Sequence, residues 1–435
     1  MPHQSEASEL PQSNYRWVIC ALLFFATTIN YVDRQILSLL KPILDNELHW
    51  TNAQFGWVNA LFQGAYAFSY LFFGWFIDRC GIKIGYAVSI AAWSLAAAAH
   101  ALANTIGGFA VARVALGLGE GGNFPGAIKA VSVWFAKKDR VLATTLFNSG
   151  SNVGALIAPA LVPPFALAYG WHAAFIAAGA AGFLWLIAWF VYFRDPTEKA
   201  LAATGPGGEP TAPEPKLPWK ALLRYRQTWA FVGAKFLTDP VWWFLLIWLP
   251  DYFKKTRGLD LKTMGLPLVV IYAVVTVLSV ACGFLTSRLA RRFTSLTSLR
   301  RTALLTFACT VVPIGFIGHF DLWTAVLVIG IAGAAHQAWS ATLMTTVSDV
   351  FPKSAVASVI GLGGFVGCFG GMLFPVICGQ VLDAFTASGN VTQGYGVLFT
   401  CASLAYLIAY ALNRYLCPSF APMAEFPTPL ATASR

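Results

Sequence analysis

The sequence predicts an all-α membrane protein of twelve spanning helices, arranged as two halves of six. Three observations carry this expectation. Of 435 residues 57% are apolar and only 11% charged, against roughly 45–50% and about 25% in soluble globular domains. The apolar residues gather into long runs, and at about 20 residues per crossing they suffice for roughly twelve helices. The longest polar stretch, Arg194 to Arg226, falls after the sixth run and contains TGPGGEPTAPEPK, the composition of a flexible linker. Such a chain is not an ordinary cytosolic enzyme.

In chain order, the first half holds apolar runs at 17–40, 52–77, 84–103, 106–128, 141–166 and 171–193. The second half holds runs at 228–253, 265–287, 302–319, 322–347, 356–383 and 394–416. Charges, Pro or Gly punctuate them, as KPILDNELHW does after the first run and DRCGIK after the second. The domain organisation therefore reads as an N-terminal arm (1–16), a first half (17–193), a linker (194–227), a second half (228–416) and a tail (417–435). The N-terminus lacks a basic region leading into a short apolar core with a small-residue cleavage site, so no removable signal peptide is expected. Cys20, Cys282, Cys309, Cys368, Cys378 and Cys401 sit inside apolar runs and no CxxC pair occurs. They read as small buried hydrophobes, neither a disulfide framework nor a metal site.

The net charge of +10 would suggest nucleic acid as partner in a soluble chain. An even number of spans puts both termini on one side, and 20 of the 29 basic residues fall on that side against 5 on the other. By the positive-inside rule both termini and the linker are cytoplasmic, and most of the surplus is a topology signal. Four bases remain within the spans, Arg34, Arg113, Lys129 and Lys235, together with Asp33, Glu120 and Asp239. A charge in hydrocarbon is costly unless it faces a cavity or a partner, so these residues hold the functional information.

Between the second and third runs stands Gly74-x-x-x-Asp78-Arg79-x-Gly81-x-Lys83. It is echoed faintly after the eighth by GFLTSRLARR, with Ser287 in place of Asp78. Its spacing and position resemble the cytoplasmic loop motif of the major facilitator superfamily, where a short charged turn at helix ends acts as a gating switch. Further motifs are TINYVDR (Thr27 to Arg34), RVALGLGEGGNFPGAIKAVSVWF (Arg113 to Phe135) and FNSGSNVGALIAP (Phe147 to Pro159). Together they resemble the anion:cation symporter family within that superfamily. In the second half KFLTDPVWWF, HQAWSATLMTTVSDVFPK and ASVIGLGGFVG are similar to the bacterial hexuronate transporters. The resemblance implies the twelve-helix major facilitator fold in a bacterial inner membrane. It also implies a carrier that couples proton movement to import of a small organic anion.

The residues also carry chemistry on their own. Arg113 and Glu120 are seven apart, so on a helix they share a face about 10.5 Å apart along the axis. One face thus offers a guanidinium for a carboxylate and a separate titratable acid. Asp33 and Arg34 are adjacent, about 100° apart around their helix, and cannot both meet one partner. The expectation is that Arg34 faces substrate while Asp33 reaches Arg113. Salt bridges serving helix contacts alone would be a poor use of these residues, because buried ion pairs stabilise little. Asp33, Glu120 and Asp239 balance Arg34, Arg113 and Lys235, while Lys129 snorkels to its helix end, so an empty site is formally neutral.

Residue by residue, the resemblance implies that Asp33 and Glu120 are proton-coupling sites. It implies too that Arg34 grips the substrate carboxylate and that Arg113 links the two events. Tyr31 and Tyr66 match its substrate positions. Asn148, Ser149, Ser151 and Asn152 in the first half, and His336, Gln337, Trp339, Ser340 and Thr345 in the second, are the polar candidates for sugar hydroxyls. Several of them read equally as interhelical contacts. Trp339, three residues after His336, would offer a flat surface to a sugar ring. Lys235 and Asp239, at i and i+4, are either a local ion pair or a second carboxylate contact, with Pro240 bending the helix beside them. GLGGFVGCFGG is a close-approach stripe, since no strand or Lys-Ser/Thr makes it a phosphate loop.

The reading is thus a proton-coupled carrier of a hexuronate such as glucuronate or galacturonate, acting as a monomer in membrane lipid. Neither cofactor, metal nor nucleic acid is expected. The alternatives are a symporter of another carboxylate (aldonate, aldarate or aromatic acid), an organophosphate antiporter, or a membrane-embedded enzyme or receptor. An enzyme would need paired acids with a metal or a nucleophile with its base, whereas every intramembrane acid here has a basic counterpart.

Overall fold

The computed structural model describes residues 15–135, 137–194, 222–289, 295–351 and 353–421. Seven helices make up the first part: α1 Tyr15–Leu48, α2 Asn52–Cys80, α3 Ile82–Ala99, α4 Ile106–Glu120, α5 Asn123–Trp134, α6 Lys137–Tyr169 and α7 Trp171–Tyr192. Six follow: α8 Arg226–Arg257, α9 Gly265–Leu289, α10 Leu296–Val311 with a 3-10 turn to His319, α11 Leu322–Val350, α12 Lys353–Ala387 and α13 Val391–Leu416. Eleven of these stretches are long and apolar enough to cross a membrane. The remaining crossing is composite: α4 and α5 occupy the fourth run and are interrupted at Gly121–Gly122. The chain is therefore an integral membrane protein whose crossings follow the order of its apolar runs.

The chain divides into two compact units. The first gathers α1 to α7 with Leu246–Val269 and Pro375–Asp383, and the second holds α8 up to Leu245, Val270–Phe374 and Ala384 onward. This departs from a simple division at the linker, for local reasons. Lys41 on α1 pairs with Asp251 at 2.8 Å. Asp383 accepts from the amides of Asn52 and Ala53 at 2.8 and 2.7 Å. A Cβ on Gly56 or Gly379 would overlap the carbonyl of Pro375 or Asn52.

Within the first unit α1 lies on α6, α2 on α4 and α3 on α7. The buried core includes Ile19, Leu23, Tyr86, Ile90, Trp93, Leu116, Trp185 and Trp189. Association inside a membrane relies on close van der Waals fit, so small residues mark the crossings. Gly150 and Gly154 of α6 lie so near the carbonyls of Phe24 and Thr28 on α1 that no Cβ could enter. Gly117 and Gly119 do the same for α4 against Phe62 and Trp93. The start of α2 is fixed by a capping box, with Gln54 N–H donating to Thr51 Oγ1 at 3.1 Å and Thr51 N–H to Gln54 Oε1 at 2.8 Å. In the second unit α10 lies against α11 and α13. Asp321 caps α11, and hydrogen bonds from the side chain and backbone of Thr324 hold its carboxyl below the usual carboxylate range.

Cysteines depart from expectation at Cys309 and Cys401, which are exposed, whereas Cys20, Cys378 and Cys417 are buried. An apolar run has a lipid side as well as a core side, and a small apolar thiol is tolerated on either. Replacing Gly154 by Val should lower thermal stability by the about 1–3 kcal/mol typical of overpacking. Gly74→Ala, with nothing within 4 Å of its new methyl, should not. Differential scanning fluorimetry of both purified variants checks this.

Candidate functional site

The charged residues of the first unit converge at the break in the fourth crossing. Two glycines in succession let α4 stop at Glu120 and α5 restart at Asn123, and the carbonyls left over are taken by side chains. Ser89 Oγ donates to Gly119 O at 2.7 Å, and Ser69 Oγ donates to Leu118 O. Asn123 accepts from Tyr86 OH at 2.7 Å. Glu120 thus ends a helix, at the negative pole of its dipole, where an anionic side chain is disfavoured unless a cation attends it.

Arg34 is that cation. Its Nε lies 2.6 Å from Glu120 Oε2, with Glu120 fully buried and Arg34 nearly so. The guanidinium also sits over aromatic rings, 4.5 Å from the centroid of Tyr66, 5.0 Å from Tyr31 and 5.4 Å from Phe62. Arg113, also buried, donates from Nη2 to the Arg34 carbonyl at 3.3 Å and lies 5.4 Å from the Phe62 ring. Asp33 is buried within electrostatic reach of Glu120, Arg113 and Arg34. Neither of its oxygens has a hydrogen-bond partner among the described residues.

These four residues meet in the first unit, but not in the pairing the sequence led one to expect. Asp33 does not bridge to Arg113; the ion pair joins Arg34 to Glu120. The 100° offset between Asp33 and Arg34 fixes their angle on α1, yet the rotation of α1 against α4 decides which of them meets the acid. Two acids and two bases leave this cluster formally neutral.

The second unit holds a smaller set. Lys235 and Asp239 form an ion pair of 2.7 Å along α8, and Lys235 Nζ lies 3.4 Å from Ser340 Oγ. Pro240 leaves α8 helical throughout; a Cβ on Gly370 of α12 would lie 2.9 Å from the Phe236 carbonyl that Pro240 deprives of a donor. His336 Nδ1 and Tyr406 OH stand 2.5 Å apart in a hydrogen bond, and the Trp242 ring stacks on His336 at 5.4 Å and 4°. Trp339 is wholly buried, edge-on to Tyr406 at 5.6 Å. It has no exposed face to offer a sugar ring, contrary to expectation. Gln337 is half-buried and Asn148 exposed. The hydroxyls of Ser149, Ser151 and Thr345 donate to carbonyls of their own helices at 2.6 Å.

At the loop motif, Gly81 takes φ +82°, the left-handed region, and its N–H donates to Ile77 O at 3.1 Å. Lys129 reaches the same carbonyl at 3.3 Å, and the Lys83 carbonyl accepts from Trp189 Nε1 at 3.0 Å. Arg79 is exposed, 5.8 Å from the Trp75 ring. The Asp78 side chain and the echo of the motif at 290–292 lie outside the described residues. Sequence reasoning missed Ser69, Ser89, Asn123, Trp242 and Tyr406. The glycine pair before Asn123 was the available signal for the first three.

An all-helical membrane protein with a buried, balanced charge cluster at a broken helix has the build of a secondary carrier. A profile of the Major Facilitator Superfamily matches residues 23–375, and the chain belongs to that superfamily; it is a transporter-family protein and not an enzyme. It is 31% identical over 404 residues to a hexuronate transporter of Escherichia coli (strain K12), covering 90% of this chain and 92% of that one. It is 32% identical over 261 residues to a galacturonate transporter of Dickeya chrysanthemi, covering 58% and 75%. Among solved structures, a bacterial homologue of the human lysosomal transporter Spinster superposes with a TM-score of 0.76 at 19% identity, over 93% and 97% of the two chains.

Glu120→Ala should cost about 3–5 kcal/mol, because it leaves a buried guanidinium without its carboxylate. The double replacement Arg34→Leu with Glu120→Leu should cost less than Glu120→Ala alone. Chemical or thermal unfolding of the two variants in one detergent decides the order.

Proposed function

We propose that the chain is a proton-coupled importer of a sugar-derived carboxylate, a hexuronate such as glucuronate or galacturonate, working by alternating access. The observation that carries this reading is the buried Arg34–Glu120 pair with Asp33 beside it. Protonation of Glu120 removes the charge that engages Arg34, and the guanidinium then accepts a substrate carboxylate in its place. Deprotonation on the other side restores the pair and expels the anion. Asp33 is the second proton-coupling group, and Arg113, bound to the Arg34 carbonyl, conveys the change between α4 and α1. The aromatic cradle of Tyr31, Phe62 and Tyr66 keeps Arg34 in place when neither carboxylate holds it.

The names of the similar carriers support the sugar-acid class. The hydroxyls would be met by Asn148, Ser151, Lys235, His336 and Gln337, with Tyr406 and Ser340 fixing the orientation of the second group. Trp339 serves by holding Tyr406. Gly74, Asp78, Arg79, Gly81 and Lys83 form the gating turn. The chain resides in a bacterial inner membrane with both termini cytoplasmic, and functions as a monomer among lipids. A neutral empty cluster favours at least one proton per monoanion, since the loaded site then carries no charge.

Proteoliposomes test this. Labelled glucuronate or galacturonate should exchange by counterflow. Glu120→Gln and Asp33→Asn should lose proton-driven uphill uptake while exchange survives. Uphill uptake retained in both variants would remove the coupling role. A thermal-shift panel flat for hexuronates, aldonates and aldarates with a response to a phosphate ester would remove the substrate class.

A further inference from the structure

A second buried charge set lies inside the first unit, at the C-terminal ends of α1 and α8, and the carboxylate cycle makes no use of it. Lys41, 1% exposed, places Nζ 2.9 Å from both oxygens of Asp45 and 2.8 Å from Asp251 Oδ1. Asp251 is fully buried, and its Oδ2 lies 2.9 Å from Lys255 Nζ. The ends of the row are tied down: Trp50 Nε1 donates to Asp45 at 2.6 Å and Lys255 to Asn52 Oδ1 at 2.7 Å. The row Asp45–Lys41–Asp251–Lys255 contains two acids and two bases and carries no net charge.

Its order along the two helices matters. Lys41 and Asp45 are i and i+4 on α1, and Asp251 and Lys255 are i and i+4 on α8. Within the row, the middle link, Lys41 to Asp251, joins one helix to the other, and beside it Lys254 Nζ of α8 donates to the Pro42 carbonyl of α1 at 2.8 Å, a contact between a charge and a neutral acceptor. Parting an ordinary buried ion pair strands two desolvated charges and is strongly unfavourable. Here parting strands none of the four charges, because each helix withdraws with a neutral pair of its own, and the bonds given up besides the cross pair are those of Lys254 and Lys255 to the neutral oxygens of Pro42 and Asn52.

We propose that this quartet is a reversible latch between the ends of α1 and α8, opening by partner exchange: Lys41 falls back on Asp45 and Asp251 on Lys255. The in-helix partners make opening cheap; the cross pair holds the closed state. Ordinary structural ion pairs, lacking such fallback partners, would resist the movement that alternating access requires. The proposal rests on the transport reading only in that a carrier must open at this end.

Two charge-matched double variants of the full-length protein test it. Asp251→Asn with Lys255→Gln removes the cross pair and keeps the α1 pair. Asp45→Asn with Lys255→Gln keeps the cross pair and removes both fallback partners. Each loses one acid and one base. Hydrogen–deuterium exchange of peptides covering 36–48 and 246–257, in detergent without substrate, should become about tenfold faster in the first and about tenfold slower in the second. Shifts in the same direction, or none, overturn the latch. Should the first variant not fold, Lys255→Gln alone is expected to slow exchange, and unchanged or faster exchange overturns the proposal as well. Because the measurement contains no substrate, failed counterflow of hexuronates sinks the transport reading without altering this result.

Discussion

A charge inside a membrane has to be cancelled by groups packed against it, and that requirement organises this molecule. Arg34 could not stay buried without Glu120 at 2.6 Å, and Glu120 could not stay anionic at a helix C-terminus without Arg34. The glycines of α4 and α6 bring α1, α2 and α3 close enough for this meeting, and the aromatic rings on α1 and α2 fill the space around the guanidinium. Lys235 with Asp239 obeys the same rule in the second unit, as does the quartet around Lys41 and Asp251.

The two ion-pair geometries differ in what they permit. Arg34 and Glu120 are 86 residues apart and each has the other as its nearest opposite charge, so changing the charge of one changes the state of both. This suits a site that must respond to a proton. The in-helix pairs, Lys235–Asp239, Lys41–Asp45 and Asp251–Lys255, move as rigid bodies with their helices. They suit surfaces that slide or part.

Much of this was readable from the residues. Apolar runs located the crossings because the bilayer fixes their length, and rarity singled out seven charges within them, Asp33, Arg34, Arg113, Glu120, Lys129, Lys235 and Asp239. What escaped was whatever depends on how one helix is turned against another. The partner of Glu120 is one case. The burial of Trp339 is another, since it is set by Tyr406, 67 positions later in the chain. The break at Gly121–Gly122 was read through because the segments beyond its flanking Glu120 and Asn123 are apolar and continue as one run. One unit boundary falls in the linker, but contacts at the ends of α8 and α12 add Leu246–Val269 and Pro375–Asp383 to the first unit, and no local pattern announces such contacts.

The interrupted fourth crossing has a consequence for how the protein is made. Neither α4 nor α5 is by itself long and apolar enough to span a bilayer, and α4 brings Arg113 and Glu120 with it. A central arginine or acid opposes lateral release of a lone helix from the translocon by about 2.5–3.5 kcal/mol. This segment therefore partitions into lipid as part of a group, its acid meeting an arginine synthesised 86 residues earlier. The order of the helices in the gene is in this respect an assembly instruction: the cation must already be waiting when the carboxylate emerges.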